Sequence, residues 1–296
     1  MNFILAAVAV LGVSASGPIM AATAAPALAI AFWRNALGAV LMGAPTVIRQ
    51  RSQFRQLSRR DVFWAAASAT ALALHFAGFI TALKLTSVAT ATALVCLQSA
   101  WIVLFQLFRK VSQVPAIFIG LGMALLGVVV ITGFDLGNSS EALLGDLLAL
   151  FGGIMAGAYT LIGAKARQTM GTGVYTTLCY GFCAAILLIL LWAFQVPLLD
   201  FPPVAWLGIL GVTLVAQILG HSVFNYLLAS MSALLVSMLI LLEIPGAALL
   251  AAVFLDERLP AGTYAGLALI LVGLAVVIFG QGRSLPRRGK QPAPGV

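Results

Sequence analysis

Charge is scarce in this chain. Of its 296 residues only 8% are Asp, Glu, Lys or Arg, while 62% are hydrophobic. A soluble globular domain carries about 25% charge, so water is excluded as the main solvent. Histidine is scarcer still, with His75 and His221 the only two. Cysteine stops at Cys96, Cys179 and Cys183, an odd number with no C-x-x-C pair. That excludes a disulfide framework and gives no support to a zinc site, and no other metal site or cofactor is expected. There is no G-x-x-x-x-G-K-[ST] loop to hold ATP and no H-E-x-x-H zinc helix. "GVSASG" at 12–17 carries serines but not the G-x-S-x-G elbow of a hydrolase. An intramembrane serine hydrolase, using Ser14 or Ser16 with a histidine base, is therefore only a remote alternative, and an enzyme is not expected.

Long apolar runs are what the chain has instead. A bilayer core of about 30 Å takes roughly 20 apolar residues as a helix. Ten such spans are expected, near 3–21, 29–48, 62–83, 88–107, 114–134, 143–164, 173–194, 204–228, 232–254 and 261–280. The start, "MNF", has no basic residue, which argues against a cleaved signal peptide despite "AATAA" at 21–25.

The net charge of +8 could suggest a nucleic-acid partner, but its distribution points to topology. If the spans alternate from an inside N-terminus, thirteen Lys and Arg fall on the cytoplasmic side. Only Lys84 and Arg258 fall outside, and Arg34 lies within the second span. This bias predicts that both termini face the cytoplasm.

A shift of 146 residues superimposes the second half on the first. It places His221 on His75, Phe254 on Phe108, Gly266 on Gly120 and Gly273 on Gly127. A shift of 140 pairs Gly12 with Gly152 and Gly17 with Gly157. Five spans per half is odd, so the second copy must be inserted upside down, and loop charges should swap. They do, since "RK" at 109–110 corresponds to "DE" at 256–257. The fold expected is an all-α integral membrane protein of ten helices in two inverted five-helix repeats, 1–138 and 139–281, with a basic cytoplasmic tail at 282–296. Many secondary transporters share that plan.

"LLEIPGAALLAAVFLDERL" at 241–259 resembles the ninth-helix signature of EamA-type drug/metabolite transporters. "GDLLALFGGIMAGAYTLIGAKA" at 145–166 is similar to the start of that family's second repeat. The resemblance runs over nearly the whole chain, and within the superfamily the single-chain, aromatic-rich form looks most like the bacterial aromatic amino-acid exporters. The first repeat departs from the pattern. Ser99 stands where Pro245 stands, "LFRKVS" replaces "FLDERL", and the first helix lacks the cation that often closes it. The resemblance implies a bacterial inner-membrane location.

Ionisable and polar groups inside a membrane are functional candidates by default. Glu243 lies about halfway along its span, two residues before Pro245. It can pair with an ammonium, bind a proton or serve a neighbouring helix. Gln217, His221 and Asn225 recur every fourth residue and so should share one helix face, toward protein or a water-filled cavity. His75 and Phe79 answer them from the other copy. Gln98 and Trp101 offer an amide and an indole to an amphipathic ligand. Ser16 lies beside Gly17-Pro18, a point where the first helix could unwind, and Tyr159 sits near its inverted counterpart. Tyr175 and Tyr180 are read as packing, with lining the path as the alternative, and Arg34 as a snorkelling cation at a helix end, with attraction of a carboxylate as the alternative. Each histidine either holds a packing contact between helices or faces the cavity.

The function expected is export of small amphipathic metabolites, aromatic amino acids foremost, across the inner membrane by alternating access. The partners are that substrate, the lipid bilayer and, as a candidate coupling ion, the proton. An exporter of apolar cationic drug-like compounds is the alternative.

Overall fold

The computed structural model describes residues 2–133, 139–257 and 261–284, and the regular elements among them are helical. Arg258, the basic tail beyond Ser284 and the expected repeat boundary at 138 lie outside the described residues. In chain order the helices are α1 (Asn2–Ser14), α2 (Ser16–Ala22), α3 (Ala27–Arg49), α4 (Arg51–Arg55) and α5 (Arg59–Ala82). They continue with α6 (Val88–Val95), α7 (Gln98–Phe108), α8 (Pro115–Gly133), α9 (Ser140–Ala166) and α10 (Thr172–Ala193). Next come α11 (Ala205–Val212), a π-helical segment (Thr213–Ser222) and α12 (Val223–Leu227). The last described helices are α13 (Ala233–Ile240), α14 (Glu243–Phe254) and α15 (Ala261–Ser284).

Eight stretches among the described residues are long and apolar enough to cross a membrane. Four are single helices: α3, α5, α9 and α10. The others are composite: α1–α2, α6–α7, α11 through α12, and α13–α14. The cores of α8 and α15 are shorter apolar helices, Pro115–Ile131 and Tyr264–Val277. Serine marks several helix starts. Ser58 Oγ accepts from the Asp61 amide while the Asp61 carboxylate accepts from the Ser58 amide, a reciprocal cap at the head of α5. Ser139 and Ser232 cap α9 and α13.

Small residues decide how closely these helices pack. A methyl group on Gly153 of α9 would stand 2.9 Å from the Val95 carbonyl oxygen of α6. One on Gly12 would stand 2.6 Å from the Val215 carbonyl oxygen of the π-helical segment. Such approaches need glycine, and they replace the hydrophobic drive that lipid does not supply between helices. The contact between α8 and α15 is reciprocal: Gly120 abuts the Gly273 carbonyl and Gly127 the Gly266 carbonyl, each glycine closing on the other's backbone. Positions 120 and 266 are 146 apart, and so are 127 and 273. The two contacts are therefore exchanged by a two-fold relation, as in an isologous interface. The three cysteines are free and buried.

Helices α6–α7 and α13–α14 break at corresponding places. At the first break, Leu97 and Ala100 amides donate to the carbonyls three residues back, and at the second Leu242 and Ile244 do the same. Such tightening to i→i+3 bonding is how a helix kinks without abandoning its backbone groups. Pro245 is thus not required for a break, since α6–α7 kinks with Ser99 in its place. Pro245 sits in the first turn of α14, where its missing N–H would be unpartnered anyway. The first span does not unwind at Ser14–Pro18. Ala15 keeps right-handed helical angles, and Ile19 donates to its carbonyl at 3.1 Å, so the chain bends there and continues.

Candidate functional site

Two groups of helices face each other across the centre. Helix α9 packs on α5, α6 and α7, while α1 packs on the π-helical segment, α12, α13 and α14. They meet where the two kinked helices cross, α6 against α14 and α7 against α13. Ser99 Oγ donates to the Ser237 carbonyl at 2.9 Å at that crossing. Between the groups lies a cavity of about 40 Å³.

From the first group the cavity takes His75, Phe76, Phe79, Gln98, Tyr159 and Thr160, and from the second Ser16, His221, Phe224, Asn225 and Glu243. The histidine rings face each other with centroids 6.4 Å apart. His75 stacks on Phe79 at 5.8 Å, and Phe76 meets His221 edge-on at 5.4 Å. The pair is chemically unequal. His75 Nδ1 lies 3.0 Å from the Gly152 carbonyl, which can only accept, so this nitrogen carries the proton. Among the described residues no hydrogen bond reaches the His221 ring. Tyr159 and Asn225 join the two groups, the hydroxyl standing 2.9 Å from Asn225 Oδ1 and 2.7 Å from Nδ2. Thr160 Oγ1 donates to Gln98 Oε1 at 3.4 Å and to its own helix at 2.9 Å. Glu243 is 7% exposed and faces the cavity without an ion pair among the described residues.

The cavity thus gathers eight of the ten residues singled out in the sequence: Ser16, His75, Phe79, Gln98, Tyr159, His221, Asn225 and Glu243. It does not gather Gln217 or Trp101. Gln217 turns away from the cavity, within the stretch from Thr213 to Ser222 that is π-helical. Gln217 Oε1 instead accepts from Arg34 Nε at 2.8 Å, and its Nε2 donates to Asn35 Oδ1 at 3.2 Å. Trp101 lies outside the cavity, in an apolar groove with Leu104, Phe105 and Leu161. Tyr175 and Tyr180 are fully buried behind the site, bonded to Ser68 and Ser222.

Arg34 does not snorkel. It is 0% exposed, turned inward between α2, α5 and the π-helical segment. The hint in the sequence was the company it keeps on α3. Asn35 is its neighbour, and Gly38, one turn on, leaves room for the Gln217 stem that approaches to 3.0 Å.

Residues 143–279 match the EamA-like transporter family. The chain is also similar to a solved crystal structure at 20% identity and a TM-score of 0.72, covering 96% of this chain and 99% of that one. That likeness speaks for the fold alone. No curated protein matches the sequence. With its apolar helices, the EamA-like match describes a multi-pass membrane protein and supports membrane transport of a small molecule.

Both ends of the site are tied by a cation. Helices α5 and α9 run antiparallel, with Ser68 near Tyr159 and Gly78 near Gly152. Lys84, just past α5, and Arg167, just past α9, therefore sit at opposite ends. Lys84 Nζ donates to the carbonyls of Met20, Ala21 and Thr23, at 2.9, 3.1 and 2.7 Å. It supplies from another helix the terminal cation that the first helix lacks, where a positive charge meets the helix dipole favourably. Partial desolvation lowers its pKa below the ordinary lysine value. Arg167 Nε donates to the Asn225 carbonyl at 2.9 Å and Nη1 to the Met170 carbonyl. Each cation bridges from one helix group to the other.

Proposed function

We propose that the chain is a secondary transporter of the inner membrane that exports aromatic amino acids or similar amphipathic metabolites by alternating access. It has ten spans in two inverted repeats, 1–138 and 139–281, and both termini and the 282–296 tail are cytoplasmic. The observation that carries the reading is the central cavity, lined by both helix groups beside two kinked helices and tied by cations at both ends. The reciprocal glycine contacts of α8 and α15 and the facing histidines support the repeat. Discontinuous helices at a midplane site are the usual transporter device.

The cavity is contracted. Forty cubic ångströms holds a few waters, whereas pockets for drug-sized ligands run to about 300–1,000 Å³. Substrate entry must therefore part the two groups at one end while the other stays tied. With the N-terminus inside, Lys84 ties the outer end and Arg167 the inner. Phe76, Phe79 and Phe224 suit an aromatic ring, while Gln98, Asn225 and Glu243 suit its polar end. Drive comes from the substrate gradient or from protons, with Glu243 and the histidines as candidate proton carriers. Glu243, facing the cavity without a cation, also favours a second reading, an exporter of apolar cations. Ser16 Oγ lies 3.5 Å from Arg34 Nη1, and neither it nor Ser14 bonds a histidine among the described residues, which leaves a serine hydrolase without its base.

The two ties give a paired expectation. In a cysteine-free background carrying Ala156→Cys in the cavity wall, Lys84→Met should raise labelling by an impermeant maleimide from outside about tenfold, and Arg167→Met should do so from inside. A shift of about tenfold corresponds to loss of roughly 1.4 kcal/mol of closure, within reach of a few charge-assisted hydrogen bonds. Labelling that neither variant changes would remove the ties from the mechanism.

A further inference from the structure

Among the described residues Arg34 has no carboxylate partner. Its Nε is held by Gln217, and its Nη1 has only the Ser16 hydroxyl at 3.5 Å and the Met20 sulfur at 3.2 Å. Its Cζ stands 4.2 Å above the centre of the Phe76 ring. Its Nη2 is buried with no hydrogen-bond partner among the described residues. A guanidinium stays charged and carries five donors in a planar fork. Leaving such a charge buried among neutral groups is expensive unless a counter-ion arrives. Among the described residues Arg34 is the only buried arginine or lysine.

The surroundings hold the fork in place. Asn35 Nδ2 donates to the Ala31 carbonyl at 2.8 Å, which fixes its oxygen toward Gln217 Nε2 at 3.2 Å. Gln217 is thereby oriented with its own oxygen toward Arg34. Ser16 and Phe76 both line the cavity, so the guanidinium stands one side chain behind its wall. Glu243 lines the same cavity and forms no ion pair with Arg34 among the described residues.

We propose that Arg34 is the anion-recognising residue of this site, taking the carboxylate of the transported molecule through its open Nη2 when the cavity expands, while Glu243 takes the ammonium. The substrate class is then a zwitterion with an apolar body rather than an amine. This rests on the amino-acid reading above and sharpens it. Arginine suits the role because a carboxylate can be gripped by two parallel N–H bonds.

The test is binding of phenylalanine, phenethylamine (which lacks the carboxylate) and 3-phenylpropionate (which lacks the ammonium) to the purified full chain by calorimetry. The wild type should bind phenylalanine about tenfold or more tighter than phenethylamine, the scale of a charge-assisted hydrogen bond. Arg34→Gln should erase that preference while holding phenethylamine affinity within about twofold, and Arg34→Lys should keep part of it. Equal wild-type affinity for phenylalanine and phenethylamine would overturn the assignment without any variant, which covers the case of a variant that fails to fold. Phenylalanine binding that survives Arg34→Gln, or binding of both ligands weakened alike, would overturn it and leave the amino-acid reading standing. Binding of phenethylamine alone would overturn both in favour of the cation exporter. No binding of any of the three ligands would also overturn both.

Discussion

His221→Ala is expected to cut uptake per folded protein about tenfold or more, with little change in thermal midpoint, while His75→Ala is expected to do the reverse. The two side chains occupy equivalent positions 146 residues apart, yet their bonding differs. His75 Nδ1 is bonded to the Gly152 carbonyl, where the α9 and α5 backbones are in close contact. Removing it loses a buried hydrogen bond and leaves space beside Phe79, together about 1–3 kcal/mol of stability. Among the described residues the His221 ring has no hydrogen bond; Phe76 meets it edge-on, and His75 and Tyr159 at a tilt, with centroids 5.4, 6.4 and 6.3 Å away. Its nitrogens are therefore open to a ligand or a proton, and a tenfold loss of uptake is the effect of about one such bond. Size-exclusion after heating, beside uptake normalised to folded protein, separates the two outcomes. Equal losses of uptake and stability in both variants would mean that both histidines only hold helices together.

Gly127→Val should sharply reduce the yield of folded, monodisperse protein, whereas Gly122→Ala on the same helix should leave it unchanged or raised. A methyl group on Gly127 would stand 2.6 Å from the Gly266 carbonyl oxygen, and Gly266 makes the mirror contact. Neither backbone can yield without prising α8 from α15, and overpacking of this kind costs about 1–3 kcal/mol or more. Gly122 has nothing within 4 Å of its would-be methyl, so alanine there gains helix propensity without a clash. Thermal midpoints of the two proteins in one detergent make the comparison. Equal midpoints would mean that the α8–α15 crossing is not what holds these helices.

Much of this architecture was written in the apolar runs, because a bilayer permits few backbone solutions and apolar length reports them directly. The 146-residue correspondence in the sequence pairs Gly120 with Gly266 and Gly127 with Gly273, and these four glycines meet in the reciprocal backbone contact of α8 and α15, where a larger residue would clash. What failed was the direction of individual side chains. Arg34 was placed by its distance from a helix end, but what turns it inward is Gln217, 183 residues away in sequence. Gln217 was placed by its four-residue spacing, and that spacing says nothing of Arg34 and Asn35 on α3, which hold its amide away from the cavity. Trp101 follows Gln98 by three residues, close enough to suggest one face. The kink at Cys96–Leu97 lies just before both, and α7 then packs its tryptophan side along α9, into the apolar groove.

Uptake of labelled phenylalanine and tryptophan into liposomes holding the purified protein, with and without a pH gradient, tests the central claim most directly. The account predicts saturable uptake above empty liposomes, either without the gradient or dependent on it. Uptake no greater than that of empty liposomes under both conditions would contradict it.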